Sequence, residues 1–152
     1  MLSDMSVQTS PNRIDSELVS RLRLVVARLA RRLRQQAEGG LSPSMLSALA
    51  SIERLGPCTL GELAAHERVQ PPTLTRIVAR LEEDGLVIRD PDVRDRRIAR
   101  VRLTTEGRHL IAQIRGRKQA YLAKKLRALT PDELSSVAVA VAVLERLLEE
   151  DA

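Results

Sequence analysis

The chain has 152 residues, of which 43% are hydrophobic and 30% charged, and its formal net charge is +5. This length fits one globular domain with an appended element, and the composition excludes a disordered chain. No apolar run is long enough for a membrane span or a secretory signal, and Cys58 has no second cysteine to pair with, so we expect a cytoplasmic protein without membrane contact.

The predicted elements begin with two helices. Residues 1–13 are polar and patternless, and we expect them to form a flexible tail. Leucines and valines at helical spacing predict a first helix from Asp15 to about Glu38, ended by Gly39-Gly40. A second helix is predicted within residues 42–56, with a serine cap and a proline in its first turn.

The next two helices are separated by a short turn. Thr59 and Glu62 form a capping box that opens a third helix, which runs to about Glu67. A turn of three residues then leads to a fourth helix that starts at Pro71. It stops at Gly85, a residue suited to the left-handed conformation that ends helices.

A β-hairpin and two long helices complete the pattern. Residues 86–89 are strand-like, and residues 98–103 alternate apolar side chains with arginine, which predicts a hairpin with one buried and one basic face. Thr104 caps a fifth helix that reaches about Leu129. A second capping box at Thr130 opens the sixth helix.

This order of elements predicts a mainly α fold with a small β-hairpin wing, namely a winged helix-turn-helix flanked by dimerisation helices. In such a fold the first helix of the pair crosses the phosphate backbone, and the second offers its polar N-terminal face to the major groove of duplex DNA. Tyr121 is the one aromatic residue, which excludes most single-strand readers because they stack bases on aromatic side chains.

The fourth helix carries the first set of candidate DNA-binding residues. Its outward side chains are Gln70, Pro72, Thr73, Thr75, Arg76 and Arg80. Arg76 is suited to a bidentate contact with guanine, and the two threonines offer hydroxyl groups to phosphates or base edges and methyl groups to thymine. Arg80, one turn further on, is a candidate phosphate contact. A solvated helix face is the alternative interpretation.

The turn of the hairpin carries the second set, Arg94, Arg96 and Arg97, and we expect its tip to enter the minor groove. Asp92 and Asp95 would be unfavourable beside phosphates, so we interpret them as salt-bridge partners that position the arginines. Arg97 either contacts DNA or braces the hairpin. Arg100 and Arg102 lie on the outer strand face, where the pattern fits solvation and DNA contact equally.

Several stretches together resemble the MarR (multiple antibiotic resistance regulator) family of transcription factors. They are residues 60–64 (LGELA), 71–78 (PPTLTRIV), 81–87 (LEEDGLV), 92–97 (DVRDRR) and 103–107 (LTTEG). The fourth stretch fits the family's D-x-R-D-x-R pattern, and the resemblance covers about residues 42–110. Gln70 departs from it, because such proteins commonly have a serine there as helix cap, and a glutamine can instead reach a base.

The resemblance implies an obligate homodimer formed by the first, fifth and sixth helices. The residue pattern agrees, because residues 137–144 are apolar on nearly all sides and need a second subunit to cover them. The predicted organisation is a tail (1–13), an N-terminal dimerisation helix (14–40), a winged helix-turn-helix domain (41–104) and C-terminal dimerisation helices (105–152). Two-fold symmetry would then separate the recognition helices by about 34 Å on a pseudo-palindromic operator.

The predicted function is a homodimeric, sequence-specific regulator that binds double-stranded DNA, most simply a repressor. The resemblance also implies release by a small lipophilic or phenolic ligand, whose binding residues the sequence does not identify. The alternatives are an architectural DNA binder of low specificity and a redox-sensing repressor that uses Cys58, for which a buried, inert thiol is the simpler expectation. No catalytic motif is present, and His66 and His109 are too isolated to bind a metal, so neither enzyme activity nor a cofactor is predicted.

Overall fold

The structure is a computed structural model that describes residues 15–37 and 40–149. The predicted tail, residues 1–13, lies outside these ranges. The helices are α1 (Ser16–Gln35), α2 (Pro43–Leu55), α3 (Leu60–Glu67), α4 (Pro71–Glu83), α5 (Thr105–Leu126) and α6 (Pro131–Glu149), and the strands are β1 (Val87–Pro91) and β2 (Ala99–Leu103). The predicted mainly α fold with a hairpin wing is confirmed.

One hydrophobic core joins α2, α3 and α4 to the hairpin. Its largest fully buried side chains are Leu49, Ile52, Leu63, Leu74, Val78, Leu81 and Val101. Full burial of each such side chain stabilises the fold by roughly 1.5–3 kcal/mol. The helix-turn-helix and the wing are therefore held together as one packed unit.

The hairpin is antiparallel, with Val87 opposite Leu103 and Pro91 opposite Ala99. β1 ends at Pro91, two residues beyond its predicted end. A proline has no N–H to donate to the partner strand, and it is tolerated here because it is the last residue of β1. Cys58, which follows α2, forms a bridge to β2: its N–H donates to Val101 O at 3.1 Å, and Val101 N–H donates to Cys58 O at 2.7 Å. This bridge attaches the wing to the loop before α3.

The end of α4 is a Schellman motif. Gly85 has φ +73°, its N–H donates to Glu82 O at 3.0 Å, and Leu86 N–H donates to Leu81 O at 2.9 Å. The left-handed stop predicted at Gly85 is confirmed.

Two other helices end earlier than predicted. α1 ends at Gln35 and α5 at Leu126, each about three residues before its expected limit. Ala37 N–H donates to Arg34 O at 2.9 Å and Leu129 N–H to Leu126 O at 3.1 Å. These bonds span three residues, so the last turn of each helix has tightened into a 3₁₀-like turn. Glu38 and Gly39, the predicted end of α1, lie outside the described residues.

α1 and α6 extend from this unit and contain no buried residue in the part of the chain that the structure describes. α5 leads from β2 to α6 and also contacts α1, and Gly107, Ile111 and Ile114 in its first half are buried. None of the helices within residues 15–37 and 40–149 is both long and apolar enough to cross a membrane. α1 and α6 thus leave large apolar side chains uncovered by their own subunit.

Candidate nucleic-acid interface

Local hydrogen bonds fix the start of α3 and the turn between α3 and α4. Thr59 Oγ1 accepts from Glu62 N–H at 3.1 Å, and the Glu62 carboxylate accepts from Thr59 N–H at 2.8 Å, which confirms the predicted capping box. Arg68 adopts a left-handed φ of +53°, and Val69 N–H donates to Ala64 O at 3.2 Å. The chain thereby reverses within three residues and starts α4 at Pro71.

The N-terminal and outer face of α4 lies at the surface. Leu74, Val78 and Leu81 are buried against the core. The six residues predicted to contact DNA are all exposed: Gln70, Pro72, Thr73, Thr75, Arg76 and Arg80. Helical periodicity has therefore placed the apolar and polar sets on opposite sides of α4, with the polar set open to a ligand.

The polar side chains of α4 differ in how much of their bonding capacity is already used. The Thr75 hydroxyl donates to Pro71 O at 2.9 Å, so it keeps only acceptor capacity and its methyl group for DNA. Arg80 pairs with Glu83 at 3.3 Å and Asp84 at 3.5 Å. Among the described residues, no carboxylate lies within ion-pair distance of Arg76. Arg76 is thus the cation of this face that is free to bind an external acceptor.

Asp92 organises the turn of the wing. One carboxylate oxygen accepts from the backbone N–H groups of Arg94 at 2.8 Å and Asp95 at 3.1 Å, and the other accepts from Arg100 Nε. The Arg100 hydrogen bond and then the two backbone donors lower the pKa of Asp92 to about 2. The carboxylate is therefore charged at neutral pH and holds the turn together.

Asp95 fixes Arg97 rather than the tip of the wing. The Arg97 backbone N–H donates to Asp95 at 3.1 Å, and Nε and Nη2 of its guanidinium donate at 3.0 Å each. The side-chain bonds are the largest cause of the lowered pKa of Asp95. Arg97 braces the hairpin, while the side chains of Arg94 and Arg96 form no ion pair with any described residue. These two arginines are the free cations of the wing.

The arginines on the outer strand face are already paired. Arg100 contacts Asp92, Glu62 Oε2 at 3.4 Å and the Pro57 carbonyl oxygen at 3.3 Å, and Arg102 contacts Asp90. These acids offset much of the positive charge of that face. Arg100 also connects the wing to α3 through Glu62.

Comparison with known proteins agrees with this geometry. The sequence model of the MarR family matches residues 41–99. An HTH-type transcriptional regulator of Mycobacterium leprae is 36% identical over 137 residues, which are 90% of this chain and 96% of the relative. This chain belongs to the MarR family.

Further relatives of this MarR-family chain support the same assignment. The HTH-type transcriptional repressor MdtR of Bacillus subtilis is 28% identical over 119 residues, which cover 78% of this chain and 77% of that protein. A solved transcriptional regulator from Pseudomonas aeruginosa is similar with a TM-score of 0.79 and 35% identity, over 88% of this chain and 95% of that one. The chain is a DNA-binding transcriptional regulator with a winged helix-turn-helix fold.

Sequence reasoning predicted one of the Thr104 contacts beside the wing of this regulator and missed the others. Thr104 Oγ1 donates to Gly85 O at 2.7 Å and accepts from Gly107 N–H at 3.0 Å, and Thr104 N–H donates to Leu86 O at 3.1 Å. Arg89 in β1 also pairs with Glu82 in α4 at 3.2 Å. The bond from Gly107 N–H is the helix cap predicted at Thr104, which is thereby confirmed, whereas the bonds of Thr104 to Gly85 and Leu86 had no local signal in the sequence.

Cys58 is 3% exposed. Burial raises the pKa of its thiol, nearby Glu62 raises it further, and Arg100 lowers it. A redox-sensing cysteine needs the opposite, an accessible thiol with a lowered pKa. The environment of Cys58 therefore favours an inert core thiol over a sensor.

His66 forms a hydrogen bond with Arg54. Its Nε2 lies 2.7 Å from Arg54 Nη2, and because arginine can only donate, the histidine nitrogen accepts. The described residues contain no group of three or more His, Cys, Asp or Glu side chains that could hold a metal ion.

Proposed function

We propose that this regulator binds a pseudo-palindromic operator in double-stranded DNA as a cytoplasmic homodimer and acts as a sequence-specific repressor. The observation that carries the proposal is the exposed face of α4, joined through one core to the wing. Neither Arg76 on this face nor Arg94 in the wing has an ion-pair partner among the residues that the structure describes. Because α4 and the wing share one core, they are suited to contact a major groove and the adjoining minor groove at the same time. The resemblance to a named repressor favours repression.

The proposal divides the chain by role. Residues 41–104 would bind DNA, and residues 14–40 and 105–152 would form the dimer. Support comes from α1 and α6, whose apolar side chains include Leu18 at 61% and Val139 at 66% exposure. A second copy that covers these faces would remove a large apolar area from water. Two linked recognition helices would then read two half-sites.

Variants of α4 test sequence-specific binding. We expect Arg76→Ala to lose discrimination at one base pair in each half-site, worth about 1–3 kcal/mol, because a bidentate guanine contact is lost. Arg80→Ala is the matched control on the same helix; as a phosphate contact it should weaken binding to all sequences and lower the salt slope by about one per subunit, or about two for the dimer. Fluorescence titration of operator and mutated duplexes measures both effects. Uniform weakening by Arg76→Ala would instead favour an architectural DNA binder.

Release by a small lipophilic or phenolic ligand is part of the same proposal. A cleft of about 150 Å³ between α2 and α5 combines apolar walls with the cation of Lys118, while its second cation, Arg115, already pairs with Glu53. The cleft is lined by Leu46, Ala50, Ile111, Ile114, Arg115 and Lys118. Such a lining suits an aromatic ring that carries a carboxylate. Ligand bound there would contact both the DNA-binding domain and the helix that leads to the dimer.

An operator-binding titration with benzoate and hydroxybenzoates tests this part of the proposal. We expect at least one of these acids to lower the affinity for operator, and Ala50→Leu, which fills the cleft, to abolish the response while it leaves operator binding intact. Unchanged affinity with the whole panel, or an undiminished response in Ala50→Leu, would contradict the assignment of this cleft.

A further inference from the structure

The N-terminus of α4 offers no free backbone N–H group in its first three positions. Pro71 and Pro72 occupy the first two positions, and proline has no N–H. The third position, Thr73, donates its N–H to Gln70 O at 3.0 Å. Helix N-termini commonly bind phosphate through these groups. This end of α4 therefore lacks the usual phosphate site.

The two prolines also leave the Gln70 side chain without a capping role at the start of α4. An N-cap side chain normally accepts a hydrogen bond from the second or third N–H of its helix, and here the second is absent and the third is used. Gln70 forms no side-chain cap and is exposed, and its amide forms no hydrogen bond with any described residue. Both the amide oxygen and the amide nitrogen are available to an external partner.

Gln70 lies six residues before Arg76, so in a helix lying in the major groove the two side chains would face different base pairs. Gln70, Thr73 and Arg76 follow one another at intervals of three residues along the exposed surface. Six residues of helix rise roughly 9 Å. Since base pairs in B-DNA are separated by about 3.4 Å, this rise corresponds to two or three steps of the duplex.

We infer that Gln70 is a specificity-determining residue that reads an adenine, two or three base pairs from the guanine contacted by Arg76. A glutamine amide matches the N6 donor and N7 acceptor that adenine presents in the major groove. A phosphate would use only the amide N–H groups and leave the amide oxygen without a donor. The inference rests on the proposed function, because it requires α4 to lie in the major groove.

Selection of binding sites from a random duplex library tests the inference, with wild type, Gln70→Ala and Gln70→Ser compared. We expect the wild type to select a two-fold symmetric motif that contains the adenine, and both variants to lose preference at that symmetric pair of positions alone. The lost discrimination should be about 5- to 140-fold per position, because a bidentate contact is worth about 1–3 kcal/mol and 1.4 kcal/mol is tenfold. Arg80→Ala, the matched control, should retain the adenine preference.

Three outcomes would overturn the inference. If Gln70→Ala selects the same motif as the wild type, the inference fails, while the motif itself still supports the proposed function. Equal weakening on all sequences, with a shallower salt dependence, would assign Gln70 to a phosphate. A lower melting temperature of free Gln70→Ala would assign the side chain to the stability of the fold and not to base reading. If the wild type selects no motif, the proposed function fails as well, which distinguishes that result from the other three.

Discussion

Gly107 lies where the first turn of α5 passes over the backbone of Leu86. A Cβ atom on Gly107 would lie 2.1 Å from the Leu86 carbonyl oxygen. Because that oxygen belongs to the backbone and also accepts from Thr104 N–H at 3.1 Å, it cannot move away freely. We expect Gly107→Ala to lower the free energy of unfolding by about 1–3 kcal/mol or more, as measured by urea denaturation.

Gly116 provides the matched control on the same helix. Apart from its chain neighbours and the nearby backbone of α5, no atom of the described residues lies within 4 Å of a Cβ placed there. Gly116→Ala should therefore leave stability unchanged or raise it by up to about 1 kcal/mol, since alanine is the better helix former. Equal effects of the two substitutions would show that close packing against Leu86 is not the cause.

At the scale of one element, the wing depends on the charge of Asp92. Its pKa in the folded protein is about 2, below the ordinary value of 3.8. A lowered pKa means that the carboxylate stabilises the turn fully above about pH 4, and that this contribution is lost as the pH falls toward 2. We expect the backbone amide resonances of Arg94 and Asp95 to titrate with a midpoint near 2 in NMR spectra.

Asp92→Asn is the control for this titration, because the amide keeps an acceptor oxygen but no longer ionises. The low-pH transition of the Arg94 amide should disappear in this variant. A wild-type midpoint near 4 would mean that Asp92 is not held by Arg100 and the turn amides.

The arginines of the wing should also separate into two classes. Arg94 has no ion-pair partner among the described residues, so we expect Arg94→Ala to weaken DNA binding and lower its salt slope by about one per subunit, with unfolding unchanged. Arg97→Ala breaks the bidentate contact to Asp95 and should increase the mobility of the turn in the free protein, as measured by NMR relaxation. DNA affinity that Arg94→Ala does not change would contradict its role as a groove contact.

At the scale of the whole molecule, the proposed dimer depends on α6. Val141 on α6 is 47% exposed within its own subunit, and Leu55 at the end of α2 is 42% exposed. We expect Val141→Glu to shift the protein toward monomer in analytical ultracentrifugation and to weaken operator binding, because a buried unpaired charge at the interface is costly. Leu55→Glu also replaces a half-exposed apolar side chain by glutamate, but it lies outside α1 and α6 and should leave the dimer intact. A monomeric wild type, or a dimer in Val141→Glu, would contradict the proposed interface.

The amino-acid sequence by itself determined the features that depend on near neighbours in the chain. The capping box at Thr59, the glycine stop at Gly85 and the amphipathic pattern of α4 each involve residues within a few positions, so their patterns predicted the order of elements and the exposed side of α4. The D-x-R-D-x-R stretch predicted a charged turn for the same reason. Whether the side chains singled out on α4 and the wing contact DNA stays a prediction.

Only the tertiary structure decided which charges remain free and which close contacts orient the wing. Arg100 meets Glu62 from 38 positions away, and Thr104 donates to Gly85 across 19. Contacts over such distances depend on how packed elements approach each other, and no local spacing encodes them. The helix ends differed from prediction for a related reason, since the final turns of α1 and α5 tighten where the chain leaves for the next element.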